Sequence, residues 1–107
     1  MVGASWEGFV IESLLAVAPK GTTASFYRTA AGAEIDLLLK LPGRHGLWAI
    51  EIKRGLTTSP GKGFHNARED LEPKRSFVVY SGDERYPIAK DVTAIGLRQM
   101  ASILEEL

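Results

Sequence analysis

Asp36 and Glu51 are separated by fourteen residues, and Lys53 follows Glu51 at the next position on the same side of an alternating segment. Both carboxylates interrupt apolar runs, "GAEIDLLLKL" and "LWAIEIK". A carboxylate inside such a run is costly unless it is paired or meets a cation. Two carboxylates with an ammonium beside them suit metal-assisted hydrolysis of a phosphodiester. Mg²⁺ takes a few carboxylate oxygens and keeps several waters, leaving positions for a phosphate oxygen and an attacking water. A lysine orients that water and offsets charge on the phosphate. Two further acids interrupt apolar segments, Glu7 in the first helix and Glu34 two residues before Asp36.

The pattern around these residues predicts the elements that carry them. Residues 4–18 form an amphipathic helix in which Trp6, Phe9, Val10, Ile11, Leu14, Leu15 and Val17 fill a wide apolar arc. Glu7 falls inside that arc, whereas Gly8 and Glu12 fall opposite it, and Pro19 and Gly21 end the helix. Strands follow at 25–30, 33–41 and 47–53, with "AG" at 31–32 as a tight turn and "PGRHG" at 42–46 as a loop. A helix over 64–72, a strand over 75–82, an extended piece over 91–97 and a closing helix complete the chain. The fold class is therefore α/β with a mixed sheet: a meander, then a crossover to a parallel strand.

Strict alternation puts Glu34, Asp36 and Leu38 on one strand face, and Ala49, Glu51 and Lys53 on one face of the next. A hairpin around 42–46 then brings Asp36 near Glu51, with Lys53 one pair further on. The same residues permit a plainer reading. Glu51 and Lys53 can form a solvated ion pair worth about 0–1 kcal/mol, and Asp36 can protect a strand edge or pair with Lys53. Glu7 can be a polar break at the helix rim. The functional reading rests on conjunction, because a helix and two strands each place a carboxylate where an apolar residue is expected.

Composition narrows the alternatives. With 107 residues the chain makes one domain over 1–107, large enough for its own core. It contains no cysteine, so neither a disulfide framework nor a thiolate zinc site is available, and a cytoplasmic location is expected. No run is long enough to span a bilayer, and the N-terminal stretch lacks a basic leader. Thirteen basic and thirteen acidic side chains cancel, so any nucleic-acid contact must rest on a local patch. Arg54, Lys62, Arg68, Lys74 and Arg75 follow Lys53 and form either a phosphate-binding rim or an ordinary solvated surface.

The run "GAEIDLLL…WAIEIKRG" resembles the core motif of the PD-(D/E)XK nuclease superfamily, an Asp on one strand followed by Glu-x-Lys on the next. With "WEGFVIESL" before it, the chain resembles more narrowly the nuclease-like domain of unknown function at the C-terminus of predicted prokaryotic AAA+ ATPases. The resemblance covers roughly residues 5–82 and implies a restriction-endonuclease-like αβββαβ core. It implies that Glu7, Asp36 and Glu51 are acidic metal-site residues for Mg²⁺ or Mn²⁺ and that Lys53 is the catalytic lysine. Glu34 matches the acid of a "GEID" variant and is assigned, with Arg54, a supporting or phosphate-contact role. DNA is the expected substrate, and an ATPase module the expected neighbour in larger relatives. The sequence has no G-x-x-x-x-G-K-[ST], and "SPGKG" at 59–63 lacks its spacing, so a fragment or truncated relative of such an ATPase, or a free-standing nuclease-like domain, is expected. The alternative is a non-catalytic nucleic-acid-binding or assembly module. Self-association through the closing helix is compatible with both.

Overall fold

The computed structural model describes residues 5–107, and the helix start expected at Ala4 lies outside them. Helix α1 (Trp6–Val17) opens at Ser5, whose Oγ accepts the Gly8 N–H and so satisfies one of the free first-turn donors. It closes before Pro19. Val10 and Leu14, one turn apart, are its fully buried residues. The apolar arc is wider than the buried stripe, since Phe9 and Leu15 are 52% and 40% exposed.

Strands β1 (Thr23–Arg28), β2 (Glu34–Leu41) and β3 (Gly46–Ile52) form the expected antiparallel meander. The β1–β2 turn uses Gly32 at φ 97°, a conformation that favours glycine. Helix α2 (Lys62–Leu71) carries the chain to β4 (Arg75–Tyr80), which pairs with β3 in parallel as the crossover predicts. Strand β5 (Arg85–Ala89) was absent from the pattern reading. It is a sheet edge with alternating exposed positions, and its Pro87 is tolerated because an edge strand need not donate on both sides. Strand β6 (Val92–Gly96) runs parallel to β4, and α3 (Leu97–Glu105) closes the chain. The six-stranded sheet has the order β1-β2-β3-β4-β6-β5.

Alternation along β3 divides the core between the two faces of the sheet. Trp48, Ile50 and Ile52 pack with Val10 and Leu14 of α1 and with Met100 and Leu104 of α3. Ala49 packs on the other face with Phe64 and Ala67 of α2. Among the described residues, no helix is long and apolar enough to cross a membrane.

Strand β2 breaks the alternation. Between the pairs Ser25–Leu38 and Tyr27–Ile35, β1 advances two residues while β2 advances three, which is a β-bulge around Asp36 and Leu37. Ile35 consequently packs with Ala33 and Ala49 on the α2 face, whereas Leu37 packs on the α1 face. The expectation that Glu34, Asp36 and Leu38 share one face is thus corrected. Leu38 packs on the α2 side, and Asp36 lines a groove beside Leu37, Phe26 and Ile11. An inserted residue shifts every side chain beyond it to the opposite face.

Candidate functional site

Glu51 near the end of β3 and Lys53 just after it form an ion pair beside the start of α2. Glu51 is only 9% exposed. Its carboxylate lies 2.8 Å from Lys53 Nζ and accepts the Gly61 backbone N–H at 3.3 and 3.4 Å. Gly61 is the cap residue of α2, so Glu51 sits at the positive end of that helix. Lys53 lies one residue past β3 but is fixed on both sides of its backbone. Its N–H donates to Val79 O at 2.8 Å, and its C=O accepts Trp6 Nε1 at 2.8 Å. The Trp6 bond ties the first turn of α1 to the end of the third strand.

Asp36 is half-buried, and its Oδ2 accepts the Ile52 N–H at 2.8 Å. The β2–β3 register ends at Leu37–Ile50, so this carboxylate takes a backbone donor just where the ladder stops. Burial pushes the Asp36 carboxyl above its ordinary range. The Ile52 N–H opposes that shift, while the negative charges of Glu7, Glu51 and Glu34 add to it. Three carboxylates therefore act electrostatically on a fourth.

Glu7, Glu34, Asp36, Glu51 and Lys53 line one cleft of about 280 Å³, together with Ile52, Gly61, Gly63 and Phe64. Glu7 is exposed rather than packed in the apolar arc of α1, because the helix's first turn stands at the mouth of the cleft. Glu34 is also exposed and lies 3.9 Å from Arg28. Arg54 lies outside the cleft, in an adjoining depression with Ser5, Trp6, Glu7 and Ile52.

Three residues of the expected basic rim, Arg68, Lys74 and Arg75, are engaged elsewhere. Arg68 Nε donates to Ser76 Oγ at 2.8 Å, and Lys74 Nζ donates to Arg44 O at 2.5 Å. Arg75 stacks 4.8 Å from the ring centres of both Trp48 and Phe77. Lys74 and Arg75 line a depression at the start of β4, whereas the acids gather at the end of its parallel neighbour β3. Parallel pairing therefore places Lys74 and Arg75 at the opposite end of the strands from the acids.

Pattern reasoning missed Gly61 and Gly63. "SPGKG" has meaning only as an approach segment: a Cβ on Gly63 would stand 2.5 Å from Gly32 O and 3.5 Å from Glu34 Cβ. The glycine lets the start of α2 press against the start of β2. Two glycines flanking Lys62 were the available signal.

The donor set consists of hard carboxylate oxygens, which suits Mg²⁺ or Mn²⁺ by chemistry. As the side chains stand, no three His, Asp or Glu residues among those described converge closely enough to hold an ion. Glu51 is instead engaged by Lys53 and Gly61, and Asp36 by Ile52.

Fold and cleft together define a mixed α/β domain with an acidic, lysine-containing cleft at one end of its strands β2 and β3. The chain belongs to the DUF4143 family, described as a domain of unknown function, whose model matches residues 2–100. It is similar to an uncharacterised protein of Mycobacterium tuberculosis and to one of Mycobacterium bovis. Each is 40% identical over 100 residues, covering 92% of this chain and 22% of the relative. The chain thus spans about a fifth of the length of these curated relatives. No solved structure matches it.

Proposed function

We propose that the domain is a nuclease-like module of PD-(D/E)XK type that hydrolyses DNA phosphodiesters with a divalent cation. The observation supporting this reading is the gathering of Glu7, Asp36, Glu51 and Lys53 into one cleft from one helix, two strands and the segment after them. Asp36 and Glu51, with Glu7 at the mouth, would hold Mg²⁺ or Mn²⁺, which supplies charge neutralisation at the phosphate and an acidified water. Lys53 Nζ stands beside Glu51, where it orients the water and offsets charge on the phosphate oxygens. Glu34 at the cleft and Arg54 beside it would support the site from its margins. In the reaction, the water oxygen bonds to phosphorus and gives up a proton, the bond to the leaving oxygen breaks, and that oxygen takes up a proton, so that the two transfers balance.

A second reading, a non-catalytic binding or assembly module, is favoured by one feature. The Glu51 carboxylate is already paired with Lys53 and Gly61 N–H, so the fold needs no ion to satisfy it.

Calorimetric titration of Mn²⁺ into the wild type and Asp36→Asn separates the two. The nuclease reading expects sub-millimolar binding that Asp36→Asn weakens at least tenfold, together with Mg²⁺-dependent DNA nicking lost in Asp36→Ala and Lys53→Ala. Absence of saturable Mn²⁺ binding, or nicking unchanged in both variants, rejects it.

A further inference from the structure

Asp36 lines two depressions. One is the acidic cleft, and the other is a groove of about 210 Å³ lined by Ile11, Ala24, Ser25, Phe26, Asp36 and Leu37. The groove is largely apolar apart from its Ser25 and Asp36 positions. Phe26, on the open edge strand β1, is 67% exposed. The Arg28 guanidinium lies 5.6 Å from the centre of its ring, and it is also within 3.9 Å of Glu34. A large aromatic surface that folding leaves in water, next to a cation, is suited to a flat aromatic group; a phosphate attached to that group can approach the carboxylate cleft only with the divalent cation of the proposed function between them.

We propose that this groove receives an unpaired nucleobase, so that the substrate is single-stranded or frayed-end nucleic acid rather than intact duplex. The inference rests on the phosphodiesterase reading above, because the base is placed by the phosphate it adjoins. In a duplex both faces of each base are covered by neighbouring bases, and a base must be unstacked before it can lie against a side chain. A flat base in the groove stacks against Phe26 and contacts Ile11, with its own phosphate directed toward the divalent cation that Asp36 and Glu51 would hold. Arg28 contributes a positive charge at the edge of this platform. The charge distribution points the same way. Basic and acidic side chains are equal in number, and Lys74 and Arg75 lie at the other end of the β3–β4 strand pair. They therefore add nothing beside this cleft to a cationic track that would hold a duplex by its backbone. Stacking on Phe26, which is tolerant of sequence, adds to the local positive charges of Lys53 and Arg28.

The test is fluorescence anisotropy of labelled single-stranded oligonucleotides and of a blunt hairpin duplex, with Ca²⁺ in place of Mg²⁺ and each oligonucleotide checked by gel to be uncut. The full chain is compared with Phe26→Ala, Phe26→Trp and Arg28→Ala; Phe26 is exposed, so its variants are expected to fold. Tighter binding of the single strand is expected, weakened about five- to hundredfold by Phe26→Ala and retained by Phe26→Trp. Arg28→Ala weakens it by less. Unchanged single-strand binding in Phe26→Ala, or an equal loss on duplex, overturns the proposal. So does a change in oligomeric state in Phe26→Ala with oligonucleotide affinity intact, which makes the face a protein contact. The two readings fail separately. Phe26-dependent binding without Mg²⁺- or Mn²⁺-dependent cleavage leaves the base groove standing and removes the hydrolase. Asp36- and Lys53-dependent cleavage that ignores Phe26 does the reverse.

Discussion

Asp36 accepts the Ile52 N–H through its side chain at 2.8 Å, at the point where the β2–β3 backbone ladder ends. One carboxylate thus has a structural task, satisfying a backbone donor, and an electrostatic one, facing Glu7, Glu51 and Glu34. The two tasks can be separated by substitution. Asp36→Asn keeps an acceptor for Ile52 but removes the charge, and it should cost little stability. Asp36→Ala leaves the donor unmet and should cost about 1–3 kcal/mol. Urea denaturation of the two variants against wild type makes the comparison, and equal losses would show that the bond to Ile52 carries no net stability.

The pH dependence follows from the upward shift of Asp36. A carboxyl raised in the folded state binds its proton more readily there than in the unfolded chain. Its favourable contribution is full below the unfolded value of about 3.9 and is lost as pH rises through the folded value. The stability of Asp36→Asn relative to wild type should therefore increase as pH rises from about 4 and then level off. Parallel urea midpoints across that range would contradict the shift.

Lys53 and Glu51 form a pair intermediate between surface and core, with side chains 32% and 12% exposed. Lys53→Ala leaves Glu51 with the Gly61 N–H alone, and the expected loss of about 1–3 kcal/mol lies between surface and buried cases. A double-mutant cycle with Glu51→Ala measures the coupling. Additive losses would mean that the 2.8 Å contact is energetically idle.

Gly63→Ala sets two effects against each other. Alanine favours a helix over glycine by about 1 kcal/mol, but its Cβ would press on Gly32 O at 2.5 Å, which is backbone and cannot rotate away. Steric displacement should win, giving a net loss of about 1–3 kcal/mol. Thermal denaturation reads the sign directly, and a stabilised variant would show that α2 moves away from β2 without cost.

Much of the architecture was legible in local pattern. The i, i+4 pair Val10 and Leu14, the Pro19 stop, the period-two run Trp48, Ile50 and Ile52, and the parallel crossover to β4 all follow from residue type and spacing. Strand β5 was not legible, because an edge strand buries little and needs no apolar run. Asp36, Glu51 and Lys53 stood out as charges in apolar segments, and the fold places them in one cleft with Glu7 and Glu34. Gly61 and Gly63 did not stand out, since their roles depend on what α2 approaches.

The sequence by itself determined which residues carry charge into the sheet, because alternation and helical period are local properties of a chain. Tertiary structure alone decided the face each acid takes. The extra residue in β2 reverses its alternation, and the start of α2 brings the Gly61 N–H to Glu51. Parallel pairing of β3 with β4 sends Lys74 and Arg75 to the far end of the strands. Each depends on register and strand direction between segments distant along the chain, which no local pattern encodes.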